Sequence, residues 1–113
     1  MSKRDYKLYI EDILECIGKI KKYTQEMDLD EFSKDDKTID AVIRNFEIIG
    51  EASRQLPEEF KRKHPEVDWR EMIDFRNVII HGYFAVNISI IWDIIQNELL
   101  PLENEIQKLI ERM

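Results

Sequence analysis

The sequence predicts an all-α fold: an antiparallel up-down four-helix bundle with one extra short helix. Three observations support this. Apolar residues recur at offsets of three and four in every long segment. No segment sustains period-two alternation. Glycine and proline number only three each in 113 residues, which leaves little length for loops. One domain spanning residues 1–113 is expected, because domains commonly hold roughly 100–150 residues. With 43% hydrophobic residues the chain can fill a core without covalent staples.

The elements follow in order. Residues 4–27 carry Tyr6, Tyr9, Ile10, Ile13, Leu14, Ile17 and Ile20 on one helical stripe. The acidic stretch DLDEF interrupts that helix. Ser33 is expected to cap the second helix, with Asp35 and Asp36 favouring the positive end of its dipole. That helix, about residues 34–56, presents Ile39, Val42, Ile43, Phe46 and Ile49 on one face. Pro57 opens a short helix, PEEFKRKH, where proline suits a first turn, and Pro65 stops it. Asp68 caps the next helix, from Trp69 to about Tyr83. Asn87 or Ser89 opens a long last helix, which Pro101 kinks or restarts. Gly18 and Gly50 fall inside helices, where each costs ~1 kcal/mol relative to alanine. Both are expected where helices cross closely. The run IIWDII is apolar around its circumference, so it is either central or covered by a partner.

Composition narrows the function. The single cysteine, Cys16, excludes an internal disulfide, and one thiol with two histidines is a poor metal-ligand set. No apolar run approaches the ~18–20 residues that span a bilayer, and the amphipathic N-terminus lacks the apolar block of a signal peptide. A cytoplasmic protein with no membrane partner is expected. The formal net charge of −7 opposes binding to nucleic acid. Its distribution is uneven, however. Positions 41–83 hold seven Lys/Arg and eight Asp/Glu, whereas the remainder holds ten and sixteen.

The segment RNVIIHGYF, residues 76–84, departs from the amphipathic pattern. Arg76 is a permanent cation whose planar fork matches phosphate oxygens. His81 is of the residue type that takes and gives protons near neutrality. Each alone has an ordinary explanation: a snorkelling arginine paired with Asp74 or another carboxylate, and a histidine at a helix C-terminus. Together they supply the minimum for metal-free RNA cleavage, a base for the ribose 2′-hydroxyl and a cation for the phosphoryl oxygens. No cofactor is required. On a regular helix Arg76 and Tyr83 fall within ~20° of one stripe, whereas Arg76 and His81 lie ~140° apart. Either the helix loosens before Gly82, or a second copy completes the site in a homodimer.

The pattern Arg-x4-His-x-Tyr, with polar Asn77 directly after the arginine, resembles the motif of the HEPN superfamily of helical ribonucleases. The trailing tyrosine is similar to that of the HepT-like toxins. The blocks DAVIRNFEIIGEASRQLP at 40–57, HPEVDWREMIDFRNVIIHGYF at 64–84 and IIWDIIQNELLPL at 90–102 also resemble that family, in the same order. The resemblance implies a HEPN-like bundle acting as the metal-independent RNase toxin of a toxin–antitoxin module. It implies a homodimer with its cleft between protomers, Arg76 and His81 as the catalytic pair, and Asn77 in support. It further implies a minimal nucleotidyltransferase antitoxin that neutralises the toxin by adenylylating Tyr83.

Other residues are more ambiguous. Lys61, Arg62 and Lys63 are either a solvated charge run or an RNA-backbone contact. Arg44, Asn45, Glu47 and Glu51 form either a solvent face with an i,i+3 ion pair or a wall of the cleft. His64 is expected in a loop. The competing functional reading is a non-catalytic helical nucleotide-binding or docking subunit of a nucleotidyltransferase. A purely structural dimeric bundle is the third.

Overall fold

The computed structural model describes residues 3–82 and 87–113. Among these, the chain forms helices α1 (Lys3–Thr24), α2 (Leu29–Ser33), α3 (Asp36–Gln55), α4 (Glu58–Lys63), α5 (Trp69–Ile80), α6 (Ile88–Asn97) and α7 (Leu99–Glu111). No strand occurs among the described residues. The long elements are the predicted ones, and the all-α, HEPN-like architecture is as expected.

Helix α3 is central, packed against α1 on one side and α5 on the other. Helix α7 lies against α1, and short α2 bridges α3 and α6. The stripe on α1 is the core stripe: Ile10, Ile13, Ile17 and Ile20 are fully buried. Burying each such side chain contributes ~1.5–3 kcal/mol. From α3, Val42, Phe46 and Ile49 join them, and α7 adds Ile106 and Leu109. Where α2 meets α6, the Phe32 and Trp92 rings pack at a tilt with centroids 5.1 Å apart. The inward polar groups of α3 are satisfied within the helix. Asn45 donates to the Ala41 carbonyl and Ser53 to that of Ile49, both at 2.8 Å.

Two boundaries differ from the sequence reading. The DLDEF stretch is not a break but a helix. Asp28 accepts from the Glu31 N–H at 2.8 Å while the Glu31 carboxylate accepts from the Asp28 N–H at 3.1 Å, a capping box. Ser33 therefore ends α2 rather than capping α3. The cap of α3 is Asp35, which accepts from the Thr38 N–H at 3.0 Å and the Thr38 hydroxyl at 2.8 Å. Pro101 restarts the last long helix as expected, and the break falls at Glu98. In a continuous helix the proline ring would strike the carbonyl of residue 97. Helix α6 therefore stops at Asn97, and Pro101 sits in the first turn of α7, where its missing N–H costs no helical bond.

The two helical glycines separate. A Cβ on Gly50 would lie 2.2 Å from Cβ and 2.8 Å from Cγ of Arg76, and 2.9 Å from the Met72 carbonyl oxygen. The backbone of α3 is thus pressed directly onto α5. Gly18 has nothing within 4 Å of such an atom and is exposed, so the close crossing expected there is absent. Gly50→Ala should therefore lose about 1–3 kcal/mol of unfolding free energy through overpacking. Gly18→Ala should gain about 0.5–1 kcal/mol through helix propensity. Urea unfolding of the two variants checks this, and equal stability would refute the crossing.

Candidate functional site

Helix α5 carries the motif. Asp68 caps it as expected, accepting from the Glu71 N–H at 3.0 Å. The helix stays regular to its end. His81, the C-cap, keeps right-handed helical dihedrals (φ −82°, ψ 0°), and its N–H reaches the Asn77 carbonyl at 3.2 Å. Gly82 then takes φ +77°, and its N–H turns back to the Ile79 carbonyl at 3.0 Å, a glycine-dependent C-terminal closure. The helix therefore does not loosen before Gly82, and the ~140° offset between Arg76 and His81 that helical geometry sets is not relieved. His81 is exposed. Tyr83, the expected modification site, lies outside the described residues.

Arg76 has a partner that the sequence did not single out. Its Nη2 sits 2.8 Å from Oε2 of Glu51 on α3, and its Nη1 donates to Oδ1 of Asn77 at 3.2 Å. Asp74, the nearest sequence candidate, faces Arg70 instead, at 3.6 Å. Glu51 also accepts from Gln55 at 2.9 Å and faces Arg54 at 3.3 Å. Hydrogen bonds from Gln55 and then Arg54, with the charges of Arg54 and Arg76 behind them, hold the Glu51 carboxyl below the usual carboxylate range. Glu51 thus faces α5 and pairs with Arg76 rather than standing on a plain solvent face. The neighbouring i,i+3 pair, Arg44 with Glu47, does form, at 3.7 Å.

The basic trio does not form one surface. Lys61 is buried and pairs with Glu58 at 3.1 Å, while Lys63 pairs with Glu59 at 3.5 Å. His64 caps the end of α4. Its ring lies 4.7 Å from that of Phe60, and its carbonyl accepts from the Trp69 indole at 3.0 Å.

A groove of about 680 Å³ runs along another face of α5, and neither Arg76 nor His81 lines it. Phe46, Phe75, Val78, Ile94 and Leu102 contribute apolar walls, and the carboxylates of Glu71, Asp74, Glu98 and Glu105 lie among its lining. This acidic lining does not suit a phosphate backbone. Lost hydration, then the hydrogen-bonded Glu98 carboxyl, then Asp68 push the Glu71 carboxyl up to about 7.

A sequence profile of the family described as Ribonuclease HepT-like matches residues 13–109. The chain belongs to this family. It is 45% identical over 107 residues to the protein named "Probable ribonuclease HepT" of Thermococcus cleftensis, covering 95% of this chain and 97% of the relative. It is 45% identical over 111 residues to "Putative RNase MJ0127" of Methanocaldococcus jannaschii, covering 98% and 92%. No solved structure matches the chain. Ribonuclease activity is thereby supported at the level of the family. No helix among the described residues is long and apolar enough to cross a membrane.

The Glu71 carboxyl makes stability depend on pH. Its value is higher folded than unfolded, so folding takes up a proton between about 4.5 and about 7. Its contribution is fully present below the unfolded value and is lost as pH rises through about 7. Glu71→Gln should flatten the fall in stability between pH 5 and pH 8, read by urea unfolding at both. An unchanged slope would contradict the shift.

Proposed function

We propose that this chain is a metal-independent endoribonuclease whose working site is shared by two copies. The observation that carries the reading is Arg76, fixed on α5 by a carboxylate from α3, one helical turn and a half before an exposed His81. Membership of a family named for ribonucleases supports RNA as the substrate of that pair. His81 takes the proton of a ribose 2′-hydroxyl. The 2′-oxygen bonds to the adjacent phosphorus, and the bond from phosphorus to the 5′-oxygen breaks. The products are a 2′,3′-cyclic phosphate and a 5′-hydroxyl, which regains a proton from imidazolium or water. Arg76 neutralises the charge growing on the phosphoryl oxygens, and Asn77 supports its guanidinium.

Because α5 remains helical through His81, the imidazole and guanidinium of one chain point to different sides. A two-fold pair of α5 helices brings the cation of one copy to the imidazole of the other. Apolar side chains left uncovered support such pairing: Ile80 on α5 and Ile90 on α6 are each 51% exposed. IIWDII is thus only partly used by the single chain. Ile91 and Ile95 are buried, while Ile90 is not.

The reading extends to a toxin neutralised by a minimal nucleotidyltransferase, which joins AMP from ATP to the Tyr83 hydroxyl with release of pyrophosphate. The added phosphodiester competes for the Arg76 fork, and the nucleotide fills the cleft.

Arg76→Ala and His81→Ala should each abolish cleavage of a defined RNA in vitro and relieve growth arrest. Mixing and re-equilibrating the two inactive variants should restore about a quarter of wild-type activity, since half the dimers are mixed and each has one intact composite site. No recovery would mean that each site is built from one chain. If neither variant differs from wild type, the docking-subunit reading takes its place. Tyr83→Phe should still cleave RNA and arrest growth, yet escape adenylylation, measured by mass spectrometry after incubation with the nucleotidyltransferase and ATP. A Phe variant that no longer cleaves RNA would show that the hydroxyl serves the chemistry.

A further inference from the structure

The Glu51–Arg76 contact joins two helices at the point where Gly50 brings them together. Gly50 removes the side chain that would hold α5 away, so the first carbons of Arg76 lie on the α3 backbone. The next residue of α3, Glu51, then reaches the far end of the same side chain at 2.8 Å. Arg76 is held at both its root and its tip, by consecutive residues of one helix. Its side chain is 22% exposed and that of Glu51 is 39% exposed. An ion pair so open to water adds little to stability. What it does supply is a fixed direction for a side chain with four rotatable bonds.

We infer that Glu51 is a positioning residue for Arg76, holding the guanidinium in the orientation that receives the phosphoryl oxygens; the inference rests on the ribonuclease reading given above. A guanidinium has five N–H groups. Nη2 faces Glu51 in the ion pair and Nη1 donates to Asn77, which leaves N–H groups of the fork for substrate. Glu51 does not act as the base. Hydrogen bonds from Gln55 and Arg54, with the Arg76 charge beside them, favour its ionised form. A carboxylate held so firmly ionised draws a proton from a hydroxyl poorly. Its effect passes through Arg76.

Three variants of the full chain test this by single-turnover cleavage and saturation kinetics on one defined RNA, with thermal unfolding in parallel. Misplacing a catalytic group by ~1 Å can cost about 100-fold. Glu51→Ala should therefore lower kcat by about 10–100-fold with KM changed less than about threefold. Its unfolding midpoint should fall by no more than about 5 °C. Glu51→Gln keeps an oxygen at the same reach and should recover most of the lost rate. Glu51→Asp keeps the charge but falls one methylene short, and should recover little. The inference is overturned if Glu51→Ala cleaves within about twofold of wild type. It is also overturned if Gln is as inactive as Ala while Asp is active, because charge rather than reach would then matter. A rate loss in all three variants that tracks a larger fall in unfolding midpoint assigns Glu51 to folding and likewise overturns it. Failure of the ribonuclease reading looks different: wild type leaves the RNA intact, or Arg76→Ala cleaves as wild type does.

Discussion

The side-chain-free crossing of α3 and α5 at Gly50 is the constraint on which the rest of the molecule depends. Helix α5 has its main packing partner in α3, and the approach there is closer than any Cβ would permit. Moving α5 outward by the width of a methyl group would carry Arg76 away from Glu51 and loosen the Phe46–Phe75 ring contact, whose centroids are 5.0 Å apart. One glycine thus sets both the packing of the outer helix and the direction of its only partly buried cation. The ~1 kcal/mol that glycine costs inside a helix is small beside that geometric role.

Electrostatics divides the surface of α5. One face, with its groove, carries Glu71 and Asp74 beside Arg70, with Glu98 at the junction of α6 and α7 and Glu105 on α7 nearby. Another carries Arg76, whose charge is partly offset by Glu51. The net charge of −7 is therefore no argument against a local phosphate site, but it does confine that site. Substrate RNA would have to approach through a narrow cationic window rather than across a broad basic face.

Much of the architecture was legible in the sequence because it rests on periodicity and caps, which are local. The stripes on α1 and α3 became the core, and Asp68 capped α5. The misread boundaries were also local, but there two signals competed. DLDEF reads as an acidic break, yet Asp28 and Glu31 are spaced for a reciprocal cap. Pro101 interrupts the last helix where its steric effect falls, four residues upstream. Gly18 and Gly50 look alike in sequence, and nothing local separates a glycine at a crossing from one facing water.

By itself the sequence determined the helical class, the core stripes, the family and the motif that places Arg76 and His81 five residues apart. Those properties depend on residue identity and spacing along one chain. Only the tertiary structure decided that Gly50 touches Arg76, that Glu51 rather than Asp74 holds the guanidinium, that Lys61 turns inward, and that the acidic groove lies apart from the motif. Each of these joins or separates side chains across helices, and the distance between two helices is fixed by packing rather than by any pattern within either one.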